Sequence, residues 1–478
     1  MAPRPSRSLA AVAALALAAL ACQTVVPLDP PTLGAPTPGA ATEATATPST
    51  DPTEPASTPT GSRPDITGRD HGVVQPAAGA GQYLDLSGQD RVYDTVHFRI
   101  HYTLTGEDAI PDTGAGPSGA PEFVLELGQQ LEQAWAIVID EWAWVAPPPD
   151  YGWGGNDLYD VYIGRDEDDE LGYVWTVEEM PEGDNPNSPD VVERHAQGSY
   201  MHLRQGFATG AGFGSQRERD DYLHTTIVHE FIHSVQYGYD GGERPEWMWE
   251  AVAMWSESLA YPGESDDVSY VIDYVTGAGD CLSQADPYSV WPFFRYLTDR
   301  HDRDLVREIW EQARDFEGVN AVRAALRARG LTLAEEWLGF AQAMLLRDFS
   351  AGDDFHPLIP ADRIDAPGSV QRDIGQLGLE AIAVEADGPI TIAISGDELA
   401  ARVIGIRDGQ AGAFDPVDGA VVVDAAAFDE LIVLVTHASD GSSSNACQHV
   451  DYRVRITPGG VPAQPADVID APKFTTLR

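Results

Sequence analysis

Apolar positions recur at helical spacing in the middle of the chain, and they predict two consecutive helices. The first helix carries one apolar stripe, and a glycine-rich segment that starts at Gly238 ends it. The residues of this stripe are Leu223, Ile227, Phe231 and Val235. After a short turn, residues 245–257 predict a second helix that is rich in Trp and Ala. We expect this helix pair to form the centre of the folded chain.

Period-two alternation upstream of the helix pair predicts strands. Residues 93–102 alternate apolar and polar and predict one strand, and shorter strands are expected at 159–163, 172–176 and 199–203. The strand at 199–203 comes just before the first central helix and is expected at the edge of the sheet. Residues 123–145 carry apolar side chains at helical spacing and predict a long amphipathic helix. Together these elements predict a mixed sheet with helices packed on it.

Helical spacing continues after the central pair to about residue 348. Amphipathic helices are expected at 286–297, 304–313, 319–328 and 333–348. Thr332 is expected to cap the last of them, since a Glu follows three residues later. This helical lobe should form the far wall of a cleft.

From about residue 362 the pattern changes to short β-type runs separated by Gly, Asp and Ser turns. This spacing predicts a small β-sandwich at 362–460, followed by a C-terminal tail at 461–478. The runs are 381–384, 390–394, 403–406, 421–423, 431–435 and 452–456. The chain is therefore predicted to be α+β, with a mixed-sheet and helical domain at 85–352 ahead of the sandwich.

Residues 1–84 lack the pattern of a folded domain. Residues 1–21 have a basic start and an Ala- and Leu-rich run, which predicts an export signal peptide. The run leads to Cys22 in a sequence that resembles a bacterial lipoprotein cleavage box, so Cys22 is a candidate lipid anchor; simple secretion and an unprocessed anchor are the alternatives. Residues 22–84 are rich in Pro, Thr and Ala and predict an unfolded stalk. The folded part is expected to be extracellular or on the surface of the cell envelope.

The net charge of the chain argues against some classes of binding partner. It carries 29 Lys and Arg against 76 Asp and Glu, a formal net charge of −47. Such a charge repels phosphate and argues against nucleic acid or an anionic membrane surface as a partner. Contact with a membrane is expected only through a lipid on Cys22. We expect a monomer with a solvated acidic exterior.

Candidate chemistry lies in the central helix pair. His229 and His233 are four residues apart, so they lie on one helix face and can reach a single metal ion. Glu230 projects about 100° away from His229 and can hold a metal-bound water without being a ligand. Glu250 lies among Trp and Ala on the second helix, where an unpaired carboxylate is costly. Two imidazoles and one carboxylate form a catalytic zinc set whose fourth position is open to water.

The motif His229-Glu230-x-x-His233 with a downstream Glu250 resembles the gluzincin group of zinc metallopeptidases, which includes thermolysin-like and immune-inhibitor-like secreted enzymes. The pattern Trp-x-x-Glu-x-x-Ala-x-Trp on the second helix is similar to that of little-characterised bacterial metalloproteases. The resemblance covers about residues 93–349. It implies a zincin-like catalytic domain in which His229, His233 and Glu250 bind Zn²⁺ and Glu230 is the general base.

Some positions depart from the family pattern. Sixteen residues separate His233 from Glu250, which is short for this group, and Met254 stands where thermolysin-like enzymes carry an Asp. Glu257 lies seven residues after Glu250 and on the same helix face. It either orients a ligand imidazole or is a solvated helix residue, and the sequence leaves both alternatives open.

The resemblance also implies a Tyr or His that stabilises the oxyanion. Tyr288 is the predicted residue and Tyr261 is the alternative, while His224 points off the ligand face and is expected on the helix surface. Zinc would lower the pKa of its bound water, and Glu230 would take the proton from that water. The predicted function is zinc-dependent hydrolysis of peptide bonds in a peptide or protein substrate.

Two other functions stay open. One is an inactive, metallopeptidase-like surface lipoprotein that serves as a binding or adhesion module, with the sandwich as its working end. The other is a purely structural zinc site, which is disfavoured because such sites usually take four protein ligands and favour cysteine.

The remaining polar candidates each have an ordinary explanation. His97 and His101 share a face of the predicted strand, and ordinary sheet residues are favoured over a metal site. The acidic run at 165–170 is either a calcium loop or a solvated turn, and the lack of EF-hand glycine spacing favours the turn. Cys281 and Cys447 either form a disulfide, which export permits, or remain buried thiols.

Overall fold

The computed structural model describes residues 83–112, 119–165, 170–176, 182–242, 246–264, 268–352, 356–438 and 447–470. The predicted signal peptide, Cys22, nearly all of the predicted stalk and residues 166–169 of the acidic run lie outside these ranges. The elements below belong to one compact unit, residues 71–166 and 171–478. In the described part of the chain, no helix combines the length and the apolar character needed to cross a membrane.

Five strands form the first sheet, in the order β1-β2-β3-β5-β4. They are β1 (Asp90–Asp94), β2 (Phe98–Thr103), β3 (Tyr159–Gly164), β4 (Gly172–Trp175) and β5 (Tyr200–Arg204). Strands β2, β3 and β5 are parallel, while β1 and β4 pair antiparallel at the two edges. The register places the fully buried Val161 between Ile100 and Met201, so the middle of the sheet belongs to the core. The predicted mixed sheet is confirmed.

Two of the strand predictions are wrong, one in the number of strands and the other in the position of a strand within the sheet. The single strand predicted at 93–102 is two strands, β1 and β2, joined by a turn in which the Thr95 N–H donates to the Phe98 carbonyl over 2.8 Å. The apolar–polar alternation continues through this turn and therefore does not reveal it. The edge strand predicted at 199–203 is the interior strand β5, and β4 lies at the edge instead. The sequence of a strand shows which face is buried, but it does not show which strands flank it.

Four helices accompany this sheet: α1 (Glu122–Trp135), α2 (Gly206–Thr209), α3 (Gln216–Asp240) and α4 (Glu246–Ala260). A π-helical segment at Ala136–Glu141 continues α1, so the helix predicted at 123–145 ends a few residues early. Helices α3 and α4 confirm the predicted central pair. Ser215 caps α3, since its Oγ accepts from the Glu218 N–H over 3.1 Å. The cap lets α3 begin two turns before the apolar stripe.

The helical lobe follows α4. Its helices are α5 (Val268–Thr276), α6 (Trp291–Arg300), α7 (Asp304–Ala313), α8 (Val319–Ala328) and α9 (Leu333–Leu346). The predictions for α7 and α8 are confirmed to the residue, and the Thr332 cap of α9 is confirmed by a bond from the Glu335 N–H to Thr332 Oγ1. Helix α5 was not predicted, and the helix predicted at 286–297 begins as the 3-10 segment Pro287–Val290.

The C-terminal region is a sandwich of two sheets. Its strands are β6 (Asp362–Asp365), β7 (Gly368–Gly375), β8 (Leu379–Glu385), β9 (Pro389–Gly396), β10 (Ala400–Arg407), β11 (Gln410–Phe414), β12 (Ala420–Asp424), β13 (Glu430–Thr436), β14 (His449–Pro458) and β15 (Asp467–Asp470). One sheet has the order β15-β11-β10-β13-β8-β6 and the other β12-β9-β14-β7. Each of the six predicted β-type runs lies in one of these strands. Strand β15 lies beyond the predicted sandwich boundary at 460 and pairs with β11.

The six-stranded sheet buries both of its faces. Val403 and Val433 point into the sandwich interior, while their neighbours Ile404 and Leu434 belong to the core shared with the helical lobe. Successive strand residues point to opposite faces, so the alternation of these two sets is that of a sheet covered on both sides. The sandwich therefore packs on the helical lobe through an apolar face.

Candidate metal centre

Helices α3 and α4 bring three side chains to one point. His229 and His233 lie one turn apart on α3, and their ring centroids are 4.8 Å apart. The Glu250 carboxylate on α4 faces both rings: its Oε2 lies 3.2 Å from His229 Nε2 and 3.4 Å from His233 Nε2. One potential ligand atom from each residue lies within 4.8 Å of the other two. The structure thus brings together the three predicted ligands.

The Nδ1 atom of each histidine contacts a residue that is not one of the three candidate ligands. His229 Nδ1 lies 2.7 Å from Glu257 Oε1, and His233 Nδ1 lies 2.7 Å from Gln236 Oε1. The Gln236 amide donates its own N–H to the Trp249 carbonyl over 3.1 Å, which fixes its oxygen toward the imidazole. A carboxylate and an amide oxygen only accept, so each Nδ1 must donate. Each Nε2 of a neutral ring is therefore left as an acceptor.

Three acceptor atoms consequently face one another: two imidazole Nε2 atoms and one Glu250 oxygen. Burial lowers the pKa of His229, but its hydrogen bonds to Glu250 and Glu257 raise it well above the usual value. Burial raises the pKa of Glu250, but the charge and hydrogen bonds of His233 and His229 lower it well below the usual range. Both shifts favour the charged form of the group, so this cluster stabilises positive charge next to the Glu250 carboxylate.

The donor set fits a catalytic zinc ion. Two imidazole nitrogens and one carboxylate oxygen are ligands that Zn²⁺ prefers, and three protein ligands leave one position for water. Both imidazoles are already in the tautomer that presents Nε2, because Glu257 and Gln236 hold their Nδ1 protons. The Glu257 contact answers a question that the sequence left open: this residue is not a solvated helix residue but holds the His229 imidazole.

Glu230 is buried beside the edge strand of the sheet. A Cβ atom added to Gly172 of β4 would lie 3.2 Å from Glu230 Cγ, so the strand passes close to this side chain. Glu230 is also the immediate neighbour of His229, one of the three candidate ligands. The residue thus lies between the ligand cluster and an edge strand.

The two candidate tyrosines contact different histidines in the structure. The Tyr288 ring stacks on the His229 ring, with centroids 5.9 Å apart and planes 16° apart. The Tyr261 ring stacks on His224 instead, at 5.2 Å. His224 Nδ1 lies 2.9 Å from Glu264 Oε2, so His224 belongs to a separate pair near the helix surface. Of the two candidate tyrosines, Tyr288 is therefore the one that contacts the ring of a candidate ligand.

Other sequence candidates stay outside this centre. His97 Nδ1 lies 2.7 Å from Glu132 Oε2, and the ring stacks on Trp135. His101 is buried against Asp160. Neither histidine belongs to a three-residue donor group in the described part of the chain.

Cys281 and Cys447 form a disulfide with Cα atoms 5.5 Å apart, which resolves the second question that the sequence left open. His449 completes a second group of donor atoms with these two sulfurs. The sulfurs are bonded to each other, so they do not serve as metal ligands in this state.

Sequence reasoning missed Gln236 and Trp249. Gln236 lies three residues after His233, and this spacing places both on one side of α3. That signal was present in the sequence. The contact of Gln236 with the Trp249 carbonyl could not be found in this way, because it depends on how the two helices pack.

The comparisons with known proteins bear on this segment of the chain. A model of a family of unknown function, DUF6055, matches residues 215–359, which include α3, α4 and the helical lobe. This match covers less than half of the chain and carries no activity with it. No curated protein matches the sequence.

Two solved structures are similar over short stretches. PliG of Salmonella Typhimurium, a periplasmic inhibitor of g-type lysozyme, is 11% identical; the match covers 20% of this chain and 99% of that chain, with a TM-score of 0.16. A mutant of the Escherichia coli protein is 14% identical over 20% of this chain and 98% of that chain, with the same TM-score. TM-scores this low support no conclusion about fold or function.

Proposed function

We propose that this chain is an exported zinc peptidase. The observation that carries the proposal is the convergence of His229 Nε2, His233 Nε2 and Glu250 Oε2, three potential metal-ligand atoms on largely buried side chains. A structural zinc site would use a fourth protein ligand. In the described part of the chain, the donor group has three members, which favours a site with a position for water.

The roles of the residues follow from their positions. A zinc ion held by the three ligands would lower the pKa of a bound water and polarise the scissile carbonyl. Glu230, the neighbour of His229, takes the proton from the attacking water and delivers it to the leaving amine. Tyr288 stacks on the His229 ring and is the proposed donor to the oxyanion. Glu257 and Gln236 keep the two imidazoles in the required tautomer.

The place of the substrate is proposed from the sheet. Strand β4 ends the sheet among the described residues, and it passes close to Glu230. An extended peptide can add to such an edge through main-chain hydrogen bonds. A peptide beside β4 would bring its carbonyl groups near Glu230. Strand β5, which the sequence placed at the edge, lies between β3 and β4, so β4 and not β5 offers the free edge among the described strands.

Export is supported by the disulfide. Structural disulfides form and persist in oxidising compartments, and Cys281–Cys447 is such a bond. A location outside the cytoplasm, a lipid anchor at Cys22 and a monomeric state remain proposals that rest on the sequence.

The experiment is a digest of a peptide library and of casein by the purified full chain, with and without a chelator. We expect cleavage that the chelator abolishes and that added Zn²⁺ restores. Cleavage that survives complete removal of metal would reject the proposed chemistry. Bound zinc without cleavage would instead support a metal-binding module that has no peptidase activity.

A further inference from the structure

The disulfide joins two parts of the chain that are also joined by backbone hydrogen bonds. Cys281 follows α5 and Cys447 precedes β14, and 166 residues separate them. Main-chain bonds connect the same regions: Gly375 N–H to the Gly279 carbonyl (2.8 Å), Leu379 N–H to the Ala278 carbonyl (2.6 Å) and Leu282 N–H to the Gln376 carbonyl (3.0 Å). The contact between the helical lobe and the sandwich therefore does not depend on the disulfide alone.

The two sulfurs differ in access. Cys281 is 1% exposed, whereas Cys447 is an exposed residue with a half-buried side chain. A thiol from solvent can therefore reach the Cys447 sulfur, and the Cys281 sulfur lies on the buried side of the bond. Thiol–disulfide exchange depends on which sulfur is accessible to attack.

A histidine lies next to the Cys447 sulfur, and a carboxylate contacts the other side of that histidine. His449 Nε2 is 3.5 Å from Cys447 Sγ, and His449 Nδ1 is 3.0 Å from Asp373 Oδ2. The Asp373 carboxylate accepts a hydrogen bond, so the neutral imidazole carries its proton on Nδ1. Nε2 is then an acceptor beside the sulfur. This is the arrangement of an oriented general base.

We propose that Cys447, His449 and Asp373 form a thiol-exchange site that reacts with a small-molecule thiol. His449 Nε2 takes the proton from the incoming thiol, and the resulting thiolate attacks Cys447 Sγ. The Cys281–Cys447 bond breaks, and its electron pair goes to Cys281, which takes the proton back from the imidazolium. The products are a mixed disulfide on Cys447 and a free thiol on Cys281, so atoms and electrons balance.

The surroundings leave room for the body of the thiol. A cavity of about 360 Å³ lies next to His449 and Asp373, and Arg372 also lines it. Charges of both signs at the wall suit a thiol with a polar, charged body, such as a cysteine-containing peptide. This site lies in a different part of the fold from the histidine pair of α3, and the proposal does not depend on peptidase activity.

The test measures mixed-disulfide formation with reduced glutathione as the probe. The protein is the full chain with Cys22→Ser, so that Cys281 and Cys447 are its two cysteines. Samples are quenched with an alkylating reagent, and peptide mass spectrometry gives the rate and the position of the adduct. The variants are His449→Ala, Asp373→Asn and the matched control His195→Ala.

His195 is a close control because it also pairs its Nδ1 with a carboxylate, Glu182 Oε2 at 2.9 Å, and has a side-chain exposure of 51% against 39% for His449. We expect the adduct on Cys447, a loss of rate of at least about tenfold in His449→Ala and a smaller loss in Asp373→Asn. His195→Ala should react at the rate of the parent. An equal rate in His449→Ala, or an adduct mainly on Cys281, would overturn the proposal.

Discussion

Two largely buried clusters in this chain combine histidine with carboxylates. They differ in where the protons of these polar groups lie. The first is the centre of His229, His233 and Glu250 between α3 and α4. The second consists of His101 on β2, Asp160 on β3 and Asp150 before it. The second cluster lies on the face of the sheet that points away from α3, since Tyr159, the neighbour of Asp160, contacts α3.

The second cluster shares protons. His101 Nε2 lies 2.7 Å from Asp160 Oδ1, and the buried Oδ2 atoms of Asp150 and Asp160 have no hydrogen-bond partner among the described residues unless one of the two carboxyls holds a proton. Burial raises the pKa of Asp150 to about 9, and the hydrogen bond with Asp160 adds to the effect. Burial also raises the pKa of Asp160 to about 7. These carboxyls keep a proton between them.

The two clusters differ in the partner of the Nδ1 atom of each imidazole. In the first cluster, Glu257 and Gln236 take the Nδ1 protons, so both Nε2 atoms face Glu250 as acceptors. In the second cluster, His101 Nε2 lies against Asp160, and His101 Nδ1 has no hydrogen-bond partner among the described residues. A buried carboxylate next to a histidine is therefore not sufficient for a metal site. What indicates a metal site is a set of converging acceptors whose protons are held elsewhere.

The largest expected effect is that of Glu230→Gln. The amide cannot accept the proton of the attacking water, so we expect kcat for peptide hydrolysis to fall about 10³-fold with zinc retained. The matched control is Asp160→Asn, which changes a buried carboxylate of the second cluster and should keep most of the activity. The comparison fails if the two variants lose activity equally while both stay folded.

Tyr288→Phe should have the next largest effect. Removal of the hydroxyl takes away the proposed donor to the oxyanion, and we expect kcat to fall about 10²-fold with KM little changed. Tyr162 offers a control, because its ring stacks on His101 at 4.2 Å much as Tyr288 stacks on His229. Steady-state kinetics should show full activity for Tyr162→Phe. Wild-type kcat in Tyr288→Phe would remove Tyr288 from the mechanism.

Glu257→Gln should weaken zinc binding about 10- to 100-fold, because the imidazole of His229 loses the carboxylate that orients it. Competition with a chromophoric chelator measures this affinity. Glu132→Gln is the control, since Glu132 holds His97 Nδ1 at the same distance of 2.7 Å outside the centre. Equal affinities in the two variants would contradict the role of Glu257.

The last prediction concerns the contribution of the second cluster to the stability of the folded protein. A carboxyl whose folded pKa is raised favours folding at low pH, and this contribution is lost as pH rises through the folded pKa. Between pH 5 and pH 9.5 we expect the free energy of unfolding to fall more steeply with pH in the parent than in Asp150→Asn. Urea unfolding of both proteins measures the difference. Parallel pH curves would show that no proton is shared.

The sequence predicted the first cluster and could not predict the second. His229 and His233 follow from helical spacing, and Glu250 follows from a carboxylate in an apolar helix. Asp150 and Asp160 come from a loop and a strand, and His101 comes from another strand, so their contact depends on strand order. Strand order was also the source of the wrong edge assignment at 199–203, because β4 is the edge only in the assembled sheet.

The most direct test of the central claim is the zinc content of the purified full chain, measured by elemental mass spectrometry. We expect one zinc per chain in the parent and in Asp160→Asn, and none in Glu250→Ala. An absence of stoichiometric zinc in the parent after growth with zinc, or the same zinc content in Glu250→Ala, would contradict the assignment of the metal centre.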